Sequence, residues 1–330
     1  MSTEREAYLC LSAILRTREP KLLNNDRAVR MLEAGSFEDA AKLLGDCGYA
    51  DMSQMTAREI EECLNDHRSE IFCELDRLCP QKLLVDVFRM KYDYHNAKTV
   101  IKSEAMGLDP KHLFSNSGRI KGEELLSLYN DELYTRMPGF LGVAMEEAKN
   151  TLARTNNPQL ADFILDRFYF CELRHAAKDV DCDFLTGYFH ILVDSANLKT
   201  AVRTLRMGKD ADFMSDALIK HGSVDIGRIR AAGDKDALNA LFAHGRLEKA
   251  AALGAEATEG GSMTAFELAC DNAVNTYLRT SKLVSYGPEA VIAYIAAVEG
   301  EITAVRMILT GKLAGIAPQT IRERLRDLYA

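Results

Sequence analysis

The sequence predicts an all-α protein made of three pseudo-symmetric helical domains, and three observations carry that reading. Only seven prolines interrupt 330 residues. Apolar residues recur at helical spacing along nearly the whole chain, whereas β-branched residues do not cluster at period two. One segment also returns twice at intervals near one hundred residues, which is the mark of an internally repeated architecture.

Taken in order, the first polar break is Asn24-Asn25-Asp26. The first long element follows it: Leu83, Val87, Met90, Tyr94, Ala97 and Ile101 step by four, three, four, three and four, forming one apolar stripe on a helix of about twenty residues. Gly107 is placed to end it. The segment YDYHNAKTVIKSEAMG, Tyr92–Gly107, then reappears 101 residues later as VDSANLKTAVRTLRMG, Val193–Gly208. Asp93, Asn96, Lys98, Thr99 and Gly107 recur as Asp194, Asn197, Lys199, Thr200 and Gly208. After a further 103 residues Thr303-Ala304-Val305-Arg306 and Gly311 stand in register with Thr200-Ala201-Val202-Arg203 and Gly208. The stripe repeats as Phe184, Tyr188, Ile191, Leu198 and Val202, and again as Val291, Tyr294, Val298 and Val305.

A second landmark keeps the same register. Glu61 precedes Asn65 by four residues, Asp162 precedes Asp166, and Glu267 precedes Asp271. Three domains follow, near 1–107, 108–211 and 212–330. Within them Asn156-Asn157-Pro158 and Ala231-Ala232-Gly233-Asp234 read as helix breaks, and Thr258–Ser262 is expected to be a flexible loop.

Composition bounds the function. Lys and Arg total 41 against 49 Asp and Glu, a net charge of -8 without an acidic tail. A nucleic-acid partner needs a basic face, so none is expected. The 47% apolar content suffices for real cores. Eight cysteines include no C-x-x-C pair, so the sequence reads as a reduced, cytosolic protein with free thiols and no zinc spacing. Met1–Ala7 lacks the apolar core of a secretory signal. The longest near-apolar run, Ala290–Val298, is about half of a membrane span.

The chemistry of catalysis is not encoded in any familiar pattern. Thr310-Gly311-Lys312-Leu313 lacks the first glycine and the hydroxyl residue of a phosphate-binding loop, and reads instead as a helix-ending glycine followed by a solvated lysine. H-E-x-x-H, G-x-S-x-G and G-x-G-x-x-G are all missing, and the seven histidines show no ligand pairing. Neither cofactor nor metal is expected. Tyr94 and Lys98 share a helix face as a dehydrogenase Tyr and Lys would, but Tyr94 lies on the core stripe. The acidic doublets Glu61-Glu62, Glu123-Glu124 and Glu146-Glu147 diverge by about 100° on a helix and read as solvated charges. Lys98, Lys102, Lys199, Arg203 and Arg306 recur in register beside the stripe, so they are either a solvated face or a partner-binding one.

The Asn-Ala/Leu-Lys-Thr repeats, the threefold repetition and the closing segment EGEITAVRMILTGKLAGIAPQTIRERL, Glu299–Leu325, resemble the C-subunit family of V-type (archaeal and bacterial A/V-type) ATPases, related to the d-subunit of the eukaryotic V-ATPase. The resemblance covers essentially the whole chain. It implies a funnel of three helical domains that is not itself an enzyme. The funnel would be seated between central shaft subunits of D and F type and the membrane proteolipid ring, at the cytoplasmic face, carrying torque for ion transport. Gly300 and Ile302 depart from the pattern, standing where the other copies have Asn96 and Asn197, and Lys98 and Lys199. Without the resemblance, a free-standing helical adaptor or a helical enzyme with a dispersed site is compatible with the same residues; repeats of about one hundred residues favour discrete domains over an open solenoid.

Overall fold

A computed structural model describes residues 5–209 and 211–330; residues 1–4, part of the expected N-terminal segment, lie outside it. The described residues are all-α, with no strand among them. They form two compact units, residues 69–186 and residues 5–68 together with 187–209 and 211–330.

The breaks read from the sequence are cap residues. In the larger unit α1 (Leu9–Arg18) is followed by α2 (Asn25–Glu33), whose N-cap Asn24 accepts from the Arg27 amide at 2.9 Å. Then come α3 (Phe37–Lys42), capped by Ser36, and α4 (Ala57–Leu78), within which the division between the units falls.

The unit 69–186 is built around α5 (Lys82–Met106), which packs on α6 (Gly122–Asn130), α7 (Leu141–Thr155) and α8 (Pro158–Val180). Its core joins Tyr94, Ala97 and Ile101 of α5 to Leu125, Met145, Ala148 and Leu165. The predicted stripe is buried from Val87 to Ile101, and burial extends well beyond it, to Leu84, Phe88, Asp93, Asn96 and Val100, because α5 is covered from several sides. Burying each large apolar side chain contributes about 1.5–3 kcal/mol, which is why this helix anchors the unit. Asn156, left-handed at φ 50°, ends α7, and Asn157 and Pro158 start α8. The unit therefore joins residues of the first and second sequence copies, since α5 of one packs against α7 and α8 of the next.

In the other unit α9 (Asp183–Arg206) leads to α10 (Ala211–Ala217), α11 (Ile226–Ala231), α12 (Lys235–Phe242), α13 (Glu248–Thr258) and α14 (Met263–Arg279). Asp234 caps α12. Thr258–Ser262 is not a loose loop. Gly261 donates to Glu256 O at 3.0 Å, Ser262 caps α14, and Arg206 Nη1 bonds the carbonyls of Ala257 and Gly261. The segment expected to be flexible is a hydrogen-bonded turn of residues 259–262, in which Gly260 takes φ 101°. α15 (Pro288–Leu313) is buried along most of its length and packs on α1, α2 and α3; α16 (Pro318–Arg322) closes the chain.

Gly107 and Gly208 end α5 and α9 in the left-handed conformation, at φ 66° and 61°. The third copy differs. Gly311 is helical and buried, with room for a β-carbon only 2.7 Å from Ile321 Cδ1, and the helix stops one turn later, before Gly315 at φ 67°. The helix-ending role expected of Gly311 belongs to Gly315, which takes the left-handed conformation, whereas Gly311 makes room for Ile321. Lys312, expected in solvent, donates to Ala34 O at 2.8 Å.

Candidate functional site

The recurring cations and the recurring acids are partners of each other. Lys98 Nζ lies 2.6 Å from Asp166 Oδ1, and Lys102 Nζ lies 2.7 Å from Asp162 Oδ2. On each helix the two members are four residues apart, on one face, and the order reverses between α5 and α8, as antiparallel helices require. The other unit repeats the arrangement: Lys199 is 2.6 Å from Asp271, and Arg203 is 2.6 Å from Glu267. There too Arg306 holds Glu61 through two bonds of 2.6 and 2.7 Å. Thus all five recurring cations, Lys98, Lys102, Lys199, Arg203 and Arg306, are tied within the chain. Each pair is partly exposed and contributes about 0.2–1 kcal/mol.

The departures of the third copy are matched. Ile302, in place of the lysine, is fully buried, and Asn65, in place of the aspartate, accepts from Arg68 Nη1 at 2.6 Å. The lysine and the aspartate of the other copies are thus both replaced by uncharged residues, Ile302 and Asn65.

The repeated Asp and Asn are buried latches on the connecting loops. Asn96 donates through Nδ2 to Ser115 O and accepts from Ser115 N, both at 2.9 Å. Asn197 makes the same pair with Ile219, at 2.7 and 2.8 Å. Asp93 accepts from the Arg119 amide at 2.8 Å and its Nε at 2.6 Å, and Asp194 accepts from the Val224 amide and from Ser223 Oγ. Burial pushes the Asp93 carboxyl above its ordinary range, against the pull of Arg119. Gly300 and Ala297 occupy the corresponding places in α15, and neither has a side chain that could make such bonds.

The catalytic decoy is resolved by burial. Tyr94 donates to Glu172 at 2.8 Å, and its phenol is pushed upward first by burial and then by Glu172. Lys98 points to Asp166, so the two do not converge. Of the acidic doublets, Glu61 pairs with Arg306, Glu62 with Arg58 and Glu147 with Arg167. Glu61 was legible as a partner only by matching its four-residue spacing to that of the basic positions. Among the described residues no group of three or more His, Cys, Asp or Glu could hold a metal ion, and no helix is long and apolar enough to cross a membrane.

Known proteins are similar to this chain along most of its length. The family described as ATP synthase (C/AC39) subunit matches residues 11–324. The C-subunit of the V-type sodium ATPase of Enterococcus hirae is 22% identical over 334 residues, covering 98% of this chain and 99% of its own. The C-subunit of the A-type ATP synthase of Methanocaldococcus jannaschii is 25% identical over 350 residues, covering 97% and 86%. The C-subunit of the V-type ATP synthase of Thermus thermophilus is 22% identical over 232 residues, covering 68% and 70%. With the family match running from the first helix to the last, this chain belongs to the ATP synthase (C/AC39) subunit family of the rotary V-type and A-type ATPases.

Proposed function

We propose that the chain is the non-catalytic socket of a rotary ATPase, seating the central shaft on the membrane proteolipid ring and turning with both. The observation that carries this is the family match over residues 11–324. Three helical copies near 1–107, 108–211 and 212–330, arranged as a funnel, belong to the same reading. So do shaft partners of D and F type and a place at the cytoplasmic face of the membrane.

Magnitudes decide how such a socket holds. Each charge crossing 100 mV stores about 2.3 kcal/mol, and several ions act on one rotor step. One exposed ion pair supplies about 0.2–1 kcal/mol, so no single cation serves as a clutch. Lys98, Lys102, Lys199, Arg203 and Arg306 enter partner contacts only through the part of each side chain its internal pair leaves exposed. Lys102 and Arg203, 49% and 54% exposed, offer the most.

The test is ATP hydrolysis measured beside ion uptake in reconstituted vesicles. Single replacement of Lys98, Lys199 or Arg306 by Ala leaves coupled transport nearly intact, whereas truncation from Asp212 abolishes uptake while hydrolysis by the head persists. Full uptake with the truncated chain overturns the socket reading. Loss of uptake from one Ala replacement in an assembled complex overturns the distributed contact.

A further inference from the structure

One buried acid is absorbed by neither the repeat nor the ion pairs. Glu301 lies on α15 and is 1% exposed. Its carboxylate accepts from the Leu23 amide at 2.5 Å and from Tyr49 Oη at 2.7 Å, partners 278 and 252 residues away in the N-terminal segment. Leu23 lies immediately before α2, and Tyr49 beyond α3, so one side chain ties both ends of this helical pair to α15. The position has no acidic counterpart in the other copies, where Leu198 and Ala97 stand in register, both buried.

We propose that Glu301 is a clasp whose protonation decides how tightly the segment from Leu23 to Tyr49 is held on α15. A carboxyl group removed from water favours its neutral form unless enough donors and cations compensate. Here the groups facing it are Tyr49, the Leu23 amide, Arg27 of α2 and the thiol of Cys47, while Arg68 of α4 acts on Tyr49. His67 of α4 stacks on Tyr49 at 4.4 Å, and on Glu301's own helix Glu299 lies 3.2 Å from Arg68. Burial dominates, and the two hydrogen bonds and Arg27 only partly oppose it, so the group is pushed up to about 7.

The sign follows. The folded value lies above the unfolded one of 4.5, so the clasp is tightest below pH 4.5 and loosens as pH rises through about 7. Local opening, which exposes Glu301 to water, is then favoured about 70-fold more at pH 8 than at pH 5. Three of the other buried acids have a cation beside them: Asp93 and Glu172 face Arg119, and Glu289 faces Arg5.

The experiment is amide hydrogen exchange on the full-length protein, read as protection factors so that the intrinsic pH dependence of exchange is divided out. The Leu23 amide, with Ala28, Met31 and Leu32 of α2, loses about 70-fold of its protection between pH 5 and 8, while amides of α7, which holds no buried acid, change little. Glu301→Gln keeps an acceptor for Leu23 and removes the pH dependence. Should that variant fail to fold, Tyr49→Phe decides: it removes a donor to the carboxylate, so the loss of protection extends to higher pH. Protection that is flat in the native chain, an unchanged loss in the Gln variant, or a Tyr49→Phe profile that does not move upward overturns the proposal.

Discussion

Arg306 grips Glu61 through two hydrogen bonds, of 2.6 and 2.7 Å, across 245 residues of chain. In the third copy this one bidentate pair stands where the other two copies each place two ion pairs. Arg306→Ala therefore costs about 0.2–1 kcal/mol in urea unfolding, given that both groups are partly exposed. Arg306→Glu costs more, and adding Glu61→Arg restores most of the loss. A double-mutant cycle with no coupling between 306 and 61 would contradict the geometry.

The buried latches have larger consequences. Asn96→Ala leaves the Ser115 amide and carbonyl without their partner in a buried place, at a cost of about 1–3 kcal/mol for each unsatisfied group. Asn197→Ala does the same to Ile219. Both fall well beyond the effect of Lys98→Ala in the same denaturation series. Equal losses for Asn96→Ala and Lys98→Ala would show that the loop is not held by Asn96.

Glycines separate two kinds of constraint. A β-carbon on Gly118 would lie 2.3 Å from Asp93 Oδ1, and one on Gly222 2.2 Å from Asp194 Oδ1. Each aspartate is pinned by the loop it latches, so Gly118→Ala and Gly222→Ala displace it and destabilise strongly. Gly107→Ala meets open space and suffers only its positive φ, about 1 kcal/mol. Thermal unfolding of the three variants ranks them; Gly107→Ala as the most damaging would refute the latch.

Nucleotide provides the fourth check. Gly311 is held against Ile321 inside α15 and Lys312 is turned to Ala34 O, so this segment cannot cradle phosphate. Titration calorimetry with Mg-ATP on the isolated chain shows no saturable micromolar site. A single-site isotherm would refute this.

What the sequence determined by itself is mostly local. Helix stripes, the caps Asn24, Asn157 and Asp234, and the stops at Gly107 and Gly208 depend on residues within four or five positions, and the helical period and turn chemistry record them directly. The repeat spacing, with the family resemblance, also lay in the chain alone. Tertiary structure decided the partnerships. Glu61 read as a solvated charge, Asp162 and Glu267 as marks of the repeat register, and Lys98, Lys199 and Arg306 as a solvated or partner-binding face, because an ion pair closed across 60 to 245 residues leaves no local periodicity. The same holds for Asn96 and Asp93, polar residues of α5 whose burial against a returning loop no helical pattern records. It holds most of all for Glu301, whose environment is made wholly by a segment from the opposite end of the chain, so only the folded arrangement removes its water and raises its proton affinity.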